Sequence, residues 1–157
     1  MRTPPTRATA RRQRGAYAIE FALVFLIFFG VLYGIICYGL LFAFRMGMQN
    51  AAEEGARAAL RYQPTLQARQ DRARTVAEQS VSWLPVTVTR SAQATVCRVA
   101  GNVCNTPACG PEWDARCQMV VTITATNMRG LLPPLPDFAM PDEIVGQASM
   151  LLDGRAP

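Results

Sequence analysis

The segment that decides the architecture covers residues 21–44 and reads FALVFLIFFGVLYGIICYGLLFAF. It contains twenty-four consecutive residues without a charge or a proline. At the helical rise of about 1.5 Å per residue it spans about 36 Å, which exceeds the ~30 Å hydrocarbon core of a bilayer. The alternative, a buried core helix of a soluble protein, requires a larger domain than a chain of 157 residues leaves room for. The segment therefore predicts a single transmembrane helix.

The charges on either side of this segment predict its orientation. The chain has 16 basic residues, all of them arginine, and 11 acidic residues. Residues 1–15 carry five arginines and no acid, which equals the whole net charge of +5. The positive-inside rule then places the N-terminus in the cytoplasm and the C-terminal body across the membrane. A cleavable secretory signal is the competing interpretation, but it has a shorter apolar core, and Leu41–Arg45 is a poor cleavage site.

Composition disfavours several classes of function for the rest of the chain. Beyond residue 15 the arginines and acids balance, so we expect no nucleic-acid-binding surface. The chain has no histidine, which removes the commonest general base and metal ligand. It also lacks nucleophile-elbow, P-loop and dinucleotide-binding patterns. Asp137, Asp142 and Glu143 flank a proline-rich loop and are interpreted as solvated, although a hydrolase that uses only carboxylates stays open. We predict no enzyme, cofactor or metal.

A row of small residues runs along the helix and beyond its apolar part. We define the small-residue ridge as Gly30, Gly34, Ala51, Gly55 and Ala59. Small residues at four-residue steps let another helix approach closely. No proline interrupts the chain as far as residue 62, so we expect one helix over residues 16–62 whose ridge packs against neighbouring helices.

The remaining residues, 63–157, predict a small α+β domain. Pro64 ends the long helix, and apolar residues at helical spacing predict a second helix between Leu66 and Pro85. Apolar and polar residues then alternate, which is typical of strands. We expect short antiparallel strands at residues 86–89, 94–99, 119–126 and 144–152. The predicted fold class is therefore α+β, with a long N-terminal transmembrane helix followed by a small helix and an antiparallel sheet.

Four of the five cysteines lie in one loop, at Cys97, Cys104, Cys109 and Cys117, while Cys37 lies in the apolar run. Outside the cytoplasm they are expected to form two disulfides, for which the sequence allows three pairings. A nested arrangement, Cys97–Cys117 and Cys104–Cys109, suits a loop between antiparallel strands. A zinc site is the alternative, but its ligand pairs are usually separated by roughly two to four residues. The gaps here are six, four and seven residues.

The junction between the arginines and the apolar helix carries the functional prediction. If the chain is cut after Gly15, Ala16 becomes a new amino terminus and Glu20 becomes the fifth residue. An ammonium and a carboxylate four positions apart lie on the same side of a helix. The carboxylate of one subunit can equally meet the amine of a neighbour, which neutralises both charges inside an apolar bundle. The simpler alternative is that Glu20 lies in the headgroup layer near Arg14.

This junction resembles the processing motif of type IV prepilins. That motif consists of basic residues, a glycine, four residues, a glutamate, an aromatic residue and a long apolar helix. The version in residues 15–21, GAYAIEF, is similar to that of the tight-adherence (Tad/Flp) branch. Residues 49–59, QNAAEEGARAA, resemble the segment after the membrane helix in TadE-like minor pilins, also called pseudopilins. Major Flp pilins end soon after their helix, so a chain with a further domain resembles a minor component.

The resemblance implies that a membrane-embedded prepilin peptidase cuts after Gly15, with Ala16, Glu20 and Phe21 completing the motif. It divides the chain into a cytoplasmic leader, residues 1–15, a pilin-like helix, residues 16–62, and a periplasmic domain, residues 63–157, with a disulfide loop at 97–117. It implies a single-pass inner-membrane protein, or an extracellular one within the pilus. Such a protein associates with other pilins and supports pilus assembly, adhesion and biofilm formation. The alternative is an unprocessed, signal-anchored protein of a cell-envelope complex.

Overall fold

The computed structural model describes residues 10–104, 109–131 and 141–152. The main elements in chain order are α1 (Ala10–Ala58), α2 (Leu66–Ser80), β1 (Thr89–Arg98), β2 (Cys117–Thr126) and β3 (Glu143–Leu151). Short 3-10 helices lie in the connections, at Ala100–Asn102, Trp113–Ala115 and Met128–Gly130. A long helix, a short helix and an antiparallel sheet confirm the predicted α+β class. The chain forms two compact units, Met1–Gly39 and Leu40–Pro157, and α1 contributes to both.

Helix α1 contains the predicted membrane span. Its segment Gly15–Ala58 has an 18-residue window with a mean hydropathy of 2.5, and only 6% of that window is buried. By length and composition this is a candidate membrane span, and no other helix in the described part of the chain qualifies. The exposed apolar surface argues against a buried core helix, because a soluble domain would cover it.

Both helices end earlier than predicted, whereas α2 begins at Leu66 as predicted. Helix α1 ends at Ala58 rather than at residue 62, because its last turn tightens: the Leu60 N–H donates to the Arg57 carbonyl at 3.1 Å. Helix α2 begins after Thr65, whose hydroxyl accepts a hydrogen bond from the Ala68 N–H at 3.1 Å. It ends at Ser80, before Pro85, in a series of turns.

The sheet is an antiparallel meander with β2 in the centre. Val121 pairs with Ala94 on one side and with Ala148 on the other, and these residues face the core. The threonines of β2 lie on the opposite face. They are Thr122, Thr124 and Thr126, all partly exposed.

The predicted short strand at residues 86–89 is wrong, and the sheet has three strands in the described residues rather than four. Thr89 is the first residue of β1 because its partner, Thr126, is the last residue of β2, so the preceding residues have no strand to pair with. They form turns instead, in which the Val88 N–H donates to the Pro85 carbonyl at 3.1 Å. Alternating valine and threonine favours a strand but cannot supply a pairing partner.

The core of the C-terminal unit lies between the sheet and the two helices. Two glycines allow α2 and β3 to lie very close to the backbone of α1. A Cβ atom on Gly55 would lie 2.8 Å from both the Ala73 carbonyl oxygen and the Ala77 Cβ, so α2 touches the α1 backbone there. A Cβ atom on Gly146 would lie 2.5 Å from the Met48 carbonyl carbon, so β3 also touches the α1 backbone. The glycines are therefore required for close approach rather than for backbone flexibility.

Candidate functional site

The predicted processing junction lies on an exposed stretch of helix α1. Gly15 is five residues from the first residue of the helix, and a Cβ atom there would meet nothing within 4 Å. A glycine in a helix costs about 1 kcal/mol relative to alanine, and helix ends fray, so this turn opens more easily than later ones. The peptide bond after Gly15 is thus accessible within the chain's own structure.

The acidic residue of the junction is exposed and is available for an external partner. The salt bridges between described side chains, Glu53–Arg57 and Arg74–Glu78, do not include Glu20. The helix continues with a column of aromatic rings, in which Phe21, Phe25 and Phe29 stack at successive centroid distances of 6.0 Å. A single carboxylate therefore stands at the end of a large apolar surface.

The small-residue ridge divides into two parts with different surroundings. Gly30 and Gly34 are open, because a Cβ atom on either would meet nothing within 4 Å. Ala51, Gly55 and Ala59 are buried. The elements that approach the ridge at Gly55 are the chain's own α2 and β2. Packing against a neighbouring subunit stays a prediction for Gly30 and Gly34, whereas the outer part of the ridge already serves the C-terminal unit.

The nested disulfide pairing is wrong, because Cys97 bonds to Cys104 and Cys109 bonds to Cys117. The reason is the register of β1 and β2. Cys97 pairs with Gln118, and Cys117 pairs with Arg98, so the two cysteines differ by one position in the ladder. Directly opposed residues share a face and successive residues alternate, which puts the two sulfur atoms on opposite faces of the sheet. Cys97 and Cys117 therefore do not bond to each other, and each bonds to the loop cysteine nearest to it in sequence.

This connectivity predicts the outcome of a tryptic digest of the denatured, unreduced protein. Cleavage after Arg98 and Arg116 separates Cys97 and Cys117 from the peptide 99–116, which carries the other two loop cysteines. With the observed pairing, peptides 91–98, 99–116 and 117–129 should remain joined as one species, as measured by mass spectrometry. The nested pairing would release peptide 99–116 with an internal bridge, which would contradict the structure.

A variant with Cys97→Ser and Cys104→Ser provides the control. It should leave peptides 99–116 and 117–129 joined, because the two bridges share no residue. Removing a bridge of this loop length should lower the free energy of unfolding by about 2 kcal/mol.

The described residues do not assemble a metal centre. No group of three or more potential metal-ligating side chains occurs among them, and the four loop cysteines are oxidised. Asp142 and Glu143 border a shallow depression with Thr126 and Asn127, while Asp137 lies outside the described residues.

Sequence reasoning missed three residues that organise the C-terminal unit. The side-chain amide of Gln49 continues the ladder of edge strand β3, since its Nε2 donates to the Gln147 carbonyl at 2.9 Å and its Oε1 accepts from the Gln147 N–H at 3.3 Å. Gly146 admits the α1 backbone, and Trp83 stacks on Phe44 at 5.6 Å. An isolated glycine within a strand pattern was the available signal for Gly146. The other two contacts are long-range and leave no local pattern.

The similarity of this chain to known proteins lies within helix α1. Residues 15–57 match the model of a family described as TadE-like protein. No curated protein and no solved structure matches the chain. The matched segment begins at Gly15 of the junction and stops one residue before α1 ends, so it includes the apolar residues 21–44 and every residue of the small-residue ridge except Ala59. Residues 15–57 are therefore a TadE-like segment, as the resemblance predicted, and the chain is consistent with a TadE-like pilin of the tight-adherence (Tad) system.

Proposed function

We propose that the chain is a minor pilin, or pseudopilin, of a Tad-type pilus, processed by a prepilin peptidase and contributing to pilus assembly, adhesion and biofilm formation. One observation carries the proposal. The TadE-like match begins at Gly15 and continues into a helix that exposes its apolar side chains and presents Glu20 close to that glycine. The TadE-like family is structural rather than enzymatic.

The proposed processing step is hydrolysis of the peptide bond between Gly15 and Ala16. Water adds across the bond, leaving a carboxylate on Gly15 and an ammonium on Ala16. Removing the preceding residues creates a new helix N-terminus, where free N–H groups and the helix dipole favour a negative charge. Glu20 lies just beyond the first turn of this new terminus. Its carboxylate can therefore pair with the ammonium of its own or a neighbouring subunit.

The proposed assembly step transfers the helix from lipid into a bundle of pilin helices. Phe21 and Phe25, which are 70% and 53% exposed, provide apolar surface for this transfer, and Gly30 and Gly34 provide a place for close approach. An unpaired carboxylate in such a bundle costs several kcal/mol, and pairing with an ammonium offsets that cost. The charge pair would thus set the axial position at which a subunit joins its neighbours.

The C-terminal unit limits where lateral helix packing can occur. Met48, Ala51 and Ala56 of α1 are at most 1% exposed, because the chain's own helix and sheet cover them. A helix of a neighbouring subunit can therefore pack only against the apolar part of α1, residues 21–44, which precedes these covered residues. The disulfide-bearing loop of the C-terminal unit would then be available for contacts with other components of the pilus.

Glu20→Ala tests the proposal. We expect a mature chain that still begins Ala16-Tyr17, because the cleavage position is unchanged, but a loss of about tenfold or more in the fraction recovered with sheared pili. Tenfold corresponds to about 1.4 kcal/mol, less than the cost expected for an unpaired buried charge. N-terminal sequencing of membrane-extracted protein and immunoblots of sheared fibres measure the two quantities.

Two controls make the test specific. Glu20→Gln keeps the side-chain shape without the charge and should behave as Glu20→Ala. Glu112→Ala removes an exposed acid far along the chain and should have no effect. Native protein that still begins at Met1 would contradict processing and favour the unprocessed envelope protein. Normal recovery of Glu20→Ala in pili would contradict the role of the charge pair.

A further inference from the structure

A turn after helix α2 packs against α1 where its apolar run ends. We define the Trp83 loop as residues 81–88, which separate α2 from β1. The Trp83 ring stacks on Phe44 at a centroid distance of 5.6 Å and an interplanar angle of 14°. A Cβ atom on Gly47 would lie 2.7 Å from the ring, so the indole lies directly on the helix backbone. These contacts are all within the unit Leu40–Pro157.

This position coincides with the end of the candidate membrane span. Residues 21–44 carry no charge, and Arg45 is the first charged residue after them. A span of this length places its ends at the two interfaces of the bilayer. The Trp83 loop, which touches α1 on either side of Arg45, therefore lies at the level of the lipid headgroups and upper acyl chains.

The loop has the composition of a membrane interface rather than of a solvated turn. No residue from Ser80 to Thr89 is charged. Val86 is 96% exposed and Trp83 is 51% exposed, although both are large apolar side chains. Tryptophan is enriched at bilayer interfaces, where its ring enters the apolar layer and its N–H remains near water.

The loop is held in shape before any lipid contact is made. The Arg90 guanidinium donates to the Val81 carbonyl at 3.0 Å and to the Leu84 carbonyl at 3.4 Å. Val88 anchors the end of the loop in the core. Exposed apolar side chains on a preformed loop lose little conformational entropy when they bind.

We propose that the Trp83 loop is a membrane-docking surface, which inserts Trp83 and Val86 into the interfacial layer of the leaflet at the Arg45 end of the span. The partner is the phospholipid interface itself. Docking would hold the C-terminal unit against the bilayer while the chain resides in the membrane. The inference rests on the candidate span and not on processing at Gly15, so the two proposals fail independently.

The two tryptophans of the chain provide the test and its matched control. Trp113 lies at the disulfide-bearing end of the sheet and is 63% exposed. The full-length chain would be reconstituted in phosphatidylcholine vesicles containing lipid brominated near the carbonyl end of its acyl chains. Trp113→Phe leaves Trp83 as the reporter, and Trp83→Phe leaves Trp113. We expect brominated lipid to quench most of the Trp83 emission and little of the Trp113 emission, with the opposite order for aqueous iodide.

A second variant separates lipid insertion from mere proximity to the helix. Val86→Asp, made with Trp113→Phe, should reduce quenching of Trp83 by brominated lipid at least severalfold. Val103→Asp, at an exposed position near the opposite end of β1, should not change it. Iodide quenching of Trp83 equal to that of Trp113, without quenching by lipid, would overturn the proposal. Protection of Trp83 from both quenchers would also overturn it, in favour of a second copy of the chain as the partner.

Discussion

Gly15→Arg is expected to abolish shortening of the chain, so that extracted protein retains residues 1–15. A peptidase must bring its catalytic groups close to the scissile backbone, and glycine is the residue that permits the closest approach. Arginine fills that space with a long charged side chain. It also adds a positive charge on the N-terminal side of the span, so the expected membrane orientation is preserved. Intact mass and N-terminal sequencing of the membrane-extracted protein measure the result.

The structure makes this substitution a clean test of processing. A Cβ atom added at Gly15 would meet nothing within 4 Å, so we expect the variant to fold and insert as the native chain does. Gly15→Ala is the matched control, because one methyl group should slow cleavage without removing it. A Gly15→Arg chain that is shortened as the native chain is would show that the cut lies elsewhere. An unshortened native chain would instead show that no cut occurs.

Gly146→Ala is expected to destabilise the C-terminal unit by about 3 kcal/mol, the upper range for forcing extra atoms into a packed core. The added Cβ would collide with the Met48 carbonyl and lie 2.9 Å from the Gln49 nitrogen. Both are backbone atoms of α1, which cannot move aside as a flexible side chain can. Separation of β3 from the helix would also break the two hydrogen bonds of the Gln49 side chain. Urea unfolding in detergent micelles, followed by Trp113 emission, measures the shift.

Local propensity predicts the opposite result for the same substitution. Replacing glycine by alanine normally stabilises a compatible site by about 0.4–1 kcal/mol, because it restricts the unfolded chain. Gly130→Ala should show this ordinary behaviour, since nothing lies within 4 Å of its added Cβ. If Gly146→Ala unfolds at the same urea concentration as Gly130→Ala, the close approach of α1 and β3 is absent in solution.

The candidate membrane span and the TadE-like segment could be predicted from sequence because their determinants are local. A transmembrane helix satisfies its backbone hydrogen bonds internally and meets lipid with its side chains, so a run of twenty-four uncharged residues identifies a candidate span without any tertiary contact. The predicted processing junction is equally local, because Gly15 and Glu20 lie at a fixed spacing along one helix. The central strand could be predicted as well, because apolar and polar residues alternate from Met119 to Thr126 and the apolar ones indicate the buried face.

Features that depend on register and packing could not be predicted. A one-residue offset between Cys97 and Cys117 decided the disulfide pairing, and no local pattern encodes that offset. The valines and threonines of residues 86–89 have strand composition but no partner.

The sequence by itself therefore determined the candidate membrane span, the TadE-like segment and the α+β class, because each depends on the composition or spacing of neighbouring residues. Only the tertiary structure decided what the outer small residues of the ridge touch, why Gly146 must be a glycine, and where Trp83 lies. Those outcomes depend on which segments meet across 18 or more positions of sequence, and a contact of that kind is set by the shape of the assembled core. The physical reason is that close packing depends on the shapes of two contacting surfaces, which are known only once the chain has folded. The hydrophobicity of a segment, in contrast, can be calculated from that segment alone.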